Sequence, residues 1–418
     1  LIFGDKYAIL FGMNIIINLG LTALIPASAY AVALCLGVNN KWQRLIVALA
    51  ALAYPAVIAR STLTTDESFG FLFPIILALI MLISANAKPG VKANAKAEVK
   101  HPVIKPLLSV LLGVVIVAGV FVNKSMLAVA VAMILTILFA RIFYKKKIVC
   151  TLEFLIPVTL LGVAVFLSDG GAASLTDFVA RPNFPRGFDS VDLIRLITGQ
   201  LYYFAVSTWG LGILGFFLFI KALANTKAKE VPKPEKPVRI SLFLMFAFLS
   251  VFFNLAISVI ERLRFNLYES QEALMYGKYI DSVCPLLLVA VICCIFVYEN
   301  NSLPLLDLRT ILFAVVLMGA IFTAFFAWTA EIIVNADNVT ISEIPGLYPL
   351  RIGVGTGSLI TLETLFLSVS AVYSLMALFI VFISCARRYR RYIISGTIAA
   401  IALYSCIYTI AVFVPYGV

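Results

Sequence analysis

The chain has a single histidine, His101, and only 13% of its 418 residues carry a charge. A catalytic triad or zinc site built on several histidines therefore lacks its residues, and His101 itself sits in a lysine-rich stretch. The seven cysteines are Cys35, Cys150, Cys284, Cys293, Cys294, Cys385 and Cys406, and no Cys-x-x-Cys occurs. Without paired spacing, and lying in or beside apolar runs, they read as small buried residues. Segments of alternating apolar and polar residues are missing too. The run Pro157–Leu167 does not alternate, which argues against a membrane β-barrel, whose strands do.

Apolar residues, at 62%, are what the chain has in excess. Soluble domains are closer to half apolar and a quarter charged. Here the apolar residues collect into runs of roughly 20, long enough to cross about 30 Å of hydrocarbon as helix. In lipid the backbone must satisfy its own hydrogen bonds, so each run is expected to be a helix. The expected fold is all-α, a single polytopic transmembrane bundle of about twelve spans over residues 1–418. The spans fall near 13–37, 43–59, 67–87, 105–122, 125–143, 149–168, 198–222, 241–260, 280–298, 310–333, 357–385 and 392–414. The second, fourth and fifth are short or closely joined, so a break or tilt is expected there. No internal repeat is visible.

The net charge is +11. Its basic residues sit in short loops between spans, which points to orientation in a bilayer rather than to nucleic acid. Most of them share one set of loops: Lys41 and Arg44, the linkers 88–105 and 221–239, Arg141 with Lys145–Lys147, Arg309, and Arg387–Arg391. The positive-inside rule makes this face cytoplasmic. Anionic lipid headgroups are expected at the two lysine-rich linkers. Most acidic residues lie on the opposite face, among them Asp66, Glu67, Asp169, Asp189, Asp192, Glu261 and Asp281. That face also carries the longest external loop, 169–198. Its Pro- and Gly-rich Arg181–Asp189 stretch breaks regular helix, and Asp189–Ile197 reads as a short amphipathic helix on the membrane surface.

Four polar features share the expected outer face. Arg60-Ser-Thr-Leu-Thr-Thr-Asp66-Glu67 puts adjacent carboxylates at a membrane boundary, where they attract cations or donor protons. Its plain structural role is a helix N-cap. Lys124, in the turn Asn123-Lys124-Ser125, is a point charge for a phosphate oxygen or a snorkelling lysine. Tyr202 and Tyr203 follow the long loop as substrate contacts or as an interfacial belt. Glu261-Arg262-Leu-Arg264 and Tyr276-Gly277-Lys278-Tyr279-Ile280-Asp281 combine basic and aromatic residues, fit for a phosphate, a sugar or an anchor. Together they suit a substrate with a lipid tail, a phosphate and a sugar.

The stretch 14–144 resembles the GT-C glycosyltransferases, polytopic enzymes that use polyprenyl-phosphate sugars, in particular the bacterial relatives of protein O-mannosyltransferases and of lipid A aminoarabinose transferase. The features that carry the resemblance are Ala-Tyr-Ala-Val-Ala-Leu-Cys-Leu-Gly ending a span, a span with Pro55, the Arg60 to Glu67 turn, and Gly-Val-Val-Ile-Val-Ala-Gly-Val-Phe-Val-Asn-Lys124. The resemblance implies inverting sugar transfer from a polyprenyl phosphate to a protein, lipid or glycan acceptor, outside a bacterial cytoplasmic membrane. It assigns Asp66 and Lys124 to the donor-phosphate cavity, with Glu67 and Arg60 beside them. Tyr202 or Tyr203 matches a carrier-contacting aromatic, and Arg262 and Lys278 are further basic contacts. It leaves open whether Asp66 and Glu67 touch acceptor, donor or a divalent cation, and no other cofactor is implied. The family's main catalytic carboxylate lies in a first external loop. The chain starts at Leu1 rather than Met, so that carboxylate is expected ahead of Leu1. Two other readings stay open. A transporter or flippase for a lipid-linked or anionic solute requires charges within spans, for which Glu153 and Glu363 are candidates at span ends. A surface-polysaccharide polymerase or ligase shares the lipid-linked donor.

Overall fold

The computed structural model describes residues 4–61, 67–86, 104–123, 126–167, 190–227, 235–262, 274–275, 277–300, 306–335, 344–350, 360–384 and 387–413. All regular structure among them is helical. The order is α1 (Gly4–Leu36), α2 (Lys41–Leu52), α3 (Pro55–Arg60), α4 (Glu67–Asn86), α5 (Ile104–Val122), α6 (Met126–Phe143), α7 (Thr151–Leu167), α8 (Ser190–Ser207), α9 (Leu211–Lys227), α10 (Glu235–Arg262), α11 (Lys278–Asp281), α12 (Cys284–Asn300), α13 (Leu308–Trp328), α14 (Ala330–Val334), a 3-10 turn (Pro345–Leu350), α15 (Leu362–Ser384) and α16 (Arg387–Phe413).

Among the described residues nine helices are long and apolar enough to cross a membrane, or ten with the bent pair α8–α9 counted as one span. The count of about twelve is not reached, for local reasons. The segment expected at 43–59 is split into α2 and α3, and α7 is a shorter apolar helix. The outward side chains fit hydrocarbon. Ile16, Leu160, Val316 and Ile407 are each about two-thirds exposed, a surface that water would not tolerate as a contiguous patch. The protein is thus an integral membrane helical bundle.

At the centre stands α12. The stretch Tyr279–Glu299 is buried along its whole length, with α1, α2, α4, α9 and α10 packed against α12. Cys284, Cys293 and Cys294 lie buried on it, as small residues in a crowded helix contact should. Cys385 lies outside the described residues.

Two breaks direct side chains inward. Pro55 has no N–H and disfavours helical conformation in the residue before it. Tyr54 is extended here, with φ −62° and ψ 123°, and Pro55 opens α3. The second break turns the chain by 91° between α8 and α9. Gly210 N–H donates to Ala205 O at 2.7 Å and Trp209 N–H to Val206 O at 2.9 Å, the bond pair of a Schellman cap. Trp209 holds the left-handed position at φ 53°. A Cβ on Gly210 would stand 2.9 Å from Met318 Sδ, so the corner is fixed by packing as well as by dihedral. The expected surface helix at Asp189–Ile197 is not separate. It is the start of α8, whose Leu196 is buried and which packs on α13.

At the opposite end of the bundle from α3's last turn, Asp307 caps α13 by accepting the Thr310 N–H at 2.9 Å, and Lys221 Nζ donates to it at 2.8 Å. Partial burial works to raise the Asp307 carboxyl, but the hydrogen bonds from Lys221 and Thr310 outweigh it and hold the group at about 2. A carboxyl depressed in the folded state stabilises fully above its unfolded value of about 4, and that contribution is lost as pH falls toward 2. Wild type should therefore unfold at a higher temperature than Asp307→Asn above about pH 4, with the gap closing below it. A gap that stays constant with pH in thermal scans of the purified protein would mean the ion pair contributes nothing.

Candidate functional site

The ends of α3, α8, α11 and the 3-10 turn meet around one carboxylate, Asp281, which is fully buried. Tyr54, aimed inward by the α2–α3 break, donates its hydroxyl to Asp281 Oδ1 at 2.5 Å. Tyr203, from α8, donates to the same oxygen at 2.7 Å and accepts the Gly346 N–H at 3.2 Å. Arg60, the last residue of α3, brings Nη2 to 3.5 Å from Asp281 Oδ2. The two side chains are 8% and 1% exposed, so water does not screen the pair. A buried carboxylate needs this kind of partner set, a cation on one oxygen and hydroxyl donors on the other.

Two glycines make room for it. A Cβ on Gly277 would lie 2.1 Å from the Tyr203 ring, and one on Gly346 would lie 2.5 Å from Ser207 Cβ and 2.8 Å from Tyr203 Oη. The backbone at Gly277 and at Gly346 thus presses directly on the tyrosine that holds Asp281. A Cβ on Gly70 of α4 would meet Ser282 Cβ at 3.7 Å, which sets the start of α4 beside the cluster.

Arg60 and Tyr203, singled out from separate segments of the sequence, therefore meet through Asp281. Tyr202 does not join them. It is buried against Phe325 with ring centroids 3.8 Å apart and donates to Leu365 O at 3.0 Å. Its role is packing between α8, α13 and α15, not an interfacial or carrier contact in this arrangement. Arg262 closes α10 and is half-buried. Glu67 opens α4 and Lys278 opens α11, in the turn that ends at Asp281, but their side chains lie outside what is described. Asp66 and Lys124 lie outside the described residues, as do the loop 168–189 and the linker 87–103. Glu153 and Glu363 stand in the first turns of α7 and α15, at helix ends. No three His, Cys, Asp or Glu side chains converge on a common point among the described residues.

Tyr54 is absent from the site expected from the sequence, and Asp281 stands there only as the end of the Tyr276–Asp281 stretch, with no role of its own. Their signals were present: a Tyr-Pro step inside an apolar run, and a carboxylate directly ahead of the apolar run of α12, where an acid must find a partner. Comparisons with protein-family models, with curated proteins and with solved structures find no match.

Proposed function

We propose that this protein is a membrane glycosyltransferase of GT-C type, moving a sugar from a polyprenyl phosphate to an acceptor at the outer face of a bacterial cytoplasmic membrane. The observation that carries the reading is the meeting of Arg60 and Tyr203 at Asp281, with the Asp66-Glu67 turn following Arg60 in the chain and Lys278 three residues before Asp281. In this reading Asp281 is a positioning residue. It touches no reacting atom; it fixes the ends of α3, α8 and α11, and so the segments that carry the donor-facing groups. Lys124 and Lys278 neutralise the lipid phosphate as it departs, an electrostatic role that works best when the cations are held in place beforehand. Asp66 and Glu67 contact acceptor, donor or a divalent cation, and a carboxylate so placed serves an acceptor hydroxyl as general base.

A second reading, transport or flipping of a lipid-linked or anionic solute, draws on a specific observation too: the buried Arg60–Asp281 pair beside two broken helices. Both pair members sit at helix ends rather than mid-helix, which favours the enzyme.

Purified protein incubated with polyprenyl-phosphate sugars and a panel of acceptors tests the first reading, and solute flux into sealed vesicles tests the second. Transfer is expected. In Lys124→Ala the loss of one charge-assisted hydrogen bond, roughly 1.5–3 kcal/mol, should lower turnover or donor affinity about ten- to hundredfold. Lys124→Arg should recover part of it. Flux without transfer overturns the enzyme; unchanged kinetics in a folded Lys124→Ala removes this lysine from the site.

A further inference from the structure

A large apolar groove runs from beside Leu201 and Phe204 of α8 toward the end of the bundle away from Asp281, where a small basic pocket adjoins it. The groove has a volume of about 910 Å³ between α6, α8, α9, α10 and α13, with Leu138, Phe143, Phe216, Phe219, Phe248 and Phe252 among its walls. None of its lining residues is charged. Water there would find no hydrogen-bond partners, so the groove suits hydrocarbon. It is open to the lipid side: Phe143 and Phe252 are more than half exposed.

The pocket, of about 180 Å³, shares Leu138 with the groove and is lined on its polar side by Arg141, Lys146, Lys147 and Thr151. Its position is built by the short α6–α7 connection. Lys145 ends α6 in the left-handed conformation, φ 50°, and Lys146 N–H returns to Ala140 O at 3.1 Å. Arg141 Nη1 donates to Thr151 Oγ1 at 3.1 Å, tying the end of α6 to the start of α7, and Lys105 of α5 donates to the Lys147 carbonyl. Cations from two elements thus crowd one opening. The nearest acid along the chain, Glu153, is in the first turn of α7 but does not line the pocket.

We infer that this is a binding site for an anionic phospholipid, with the phosphate-bearing headgroup at Arg141, Lys146 and Lys147 and an acyl chain laid past Leu138 into the groove. Charge selects the headgroup: several cations at a membrane boundary attract anionic lipid, and the guanidinium of Arg141 matches a phosphate's paired oxygens. Continuity selects a lipid over a free phosphate, because the basic pocket adjoins, across Leu138, an apolar groove with room for a chain. The headgroup pocket does not depend on the transfer reaction and lies at the other end of the bundle, so its test is separate.

The full-length chain would be placed in phosphatidylcholine vesicles containing a trace of photoreactive phosphatidylglycerol or, in parallel, photoreactive phosphatidylcholine with the same labelled chain. After irradiation the adducts are mapped by peptide mass spectrometry. Phosphatidylglycerol adducts should exceed phosphatidylcholine adducts several-fold and fall on the second half of α6 and the facing parts of α9 and α10. Neutralising Arg141, Lys146 and Lys147 to glutamine should reduce them to the phosphatidylcholine level, each single neutralisation removing part of the excess and none more than about fivefold. Arg141→Lys with Lys146→Arg and Lys147→Arg should keep most of the labelling. If the triple neutral variant does not fold, the three single variants read the same loss one charge at a time. Equal labelling by the two probes, adducts elsewhere on the surface, or labelling that survives neutralisation would overturn the site.

Discussion

Asp281→Ala is expected to be the most damaging single substitution in the bundle, lowering stability by about 3–5 kcal/mol, the usual cost of stranding one member of a buried ion pair. The substitution leaves Arg60 charged at 8% exposure and removes the acceptor of both Tyr54 and Tyr203. Arg60→Leu should cost less, because Tyr54 and Tyr203 still donate to the carboxylate that loses its cation. The double variant Arg60→Leu/Asp281→Leu should be more stable than either single variant, since two apolar side chains do not have to be dehydrated as charges. Tyr54→Phe and Tyr203→Phe each lose one hydrogen bond to a charged acceptor and should cost roughly 1.5–3 kcal/mol. Thermal unfolding in detergent micelles measures the whole series as a double-mutant cycle. Additive losses for Arg60 and Asp281 would mean that the 3.5 Å pair is not coupled, and the cluster would then be only a set of neighbours.

The second large effect is expected from a single methyl group. The backbone of Gly277 is ordinary, at φ −81°, so alanine there is not strained by its dihedrals. It is excluded by space, with the new Cβ 2.1 Å from the Tyr203 ring. That ring is no loose end; its hydroxyl is held by Asp281 and Gly346. Gly277→Ala must therefore push Tyr203 away, adding an overpacking cost of about 1–3 kcal/mol to the lost hydrogen bond of roughly 1.5–3 kcal/mol. Trimming the ring in Gly277→Ala/Tyr203→Leu should remove the clash and make the pair markedly less than additive. Unfolding temperatures decide it, and wild-type stability in Gly277→Ala alone would show that the backbone at Gly277 does not press on Tyr203.

These two results bear on how much of the candidate site a reader of the sequence could have had. Arg60 and Tyr203 were legible because each is a polar residue at the boundary of an apolar run, where charge or hydroxyl needs a reason. Tyr202 is equally polar and one residue away, yet α8 turns it by about 100° onto Phe325 and the core. Adjacent tyrosines on a helix cannot face the same partner, and nothing in their spacing says which of them faces Asp281. Asp281 was legible as an acid but not as the hub, since the residues it joins come from positions 54, 60 and 203.

By itself the sequence determined the class of molecule. Runs of about twenty apolar residues leave the backbone no partner but itself in lipid, so helices and their approximate places follow from composition alone. It also marked one local stop, because Pro55 disfavours helix at Tyr54, although Pro26, Pro74 and Pro157 lie inside continuous helices, so packing decides which proline interrupts. What only the tertiary structure decided is which helices are interrupted by packing, as at Trp209 and Gly210, which helix is central, and which boundary residues meet. Those depend on contacts between segments more than a hundred residues apart, as Tyr54 and Asp281 are, and no local pattern of hydropathy or charge encodes the pairing of one distant segment with another.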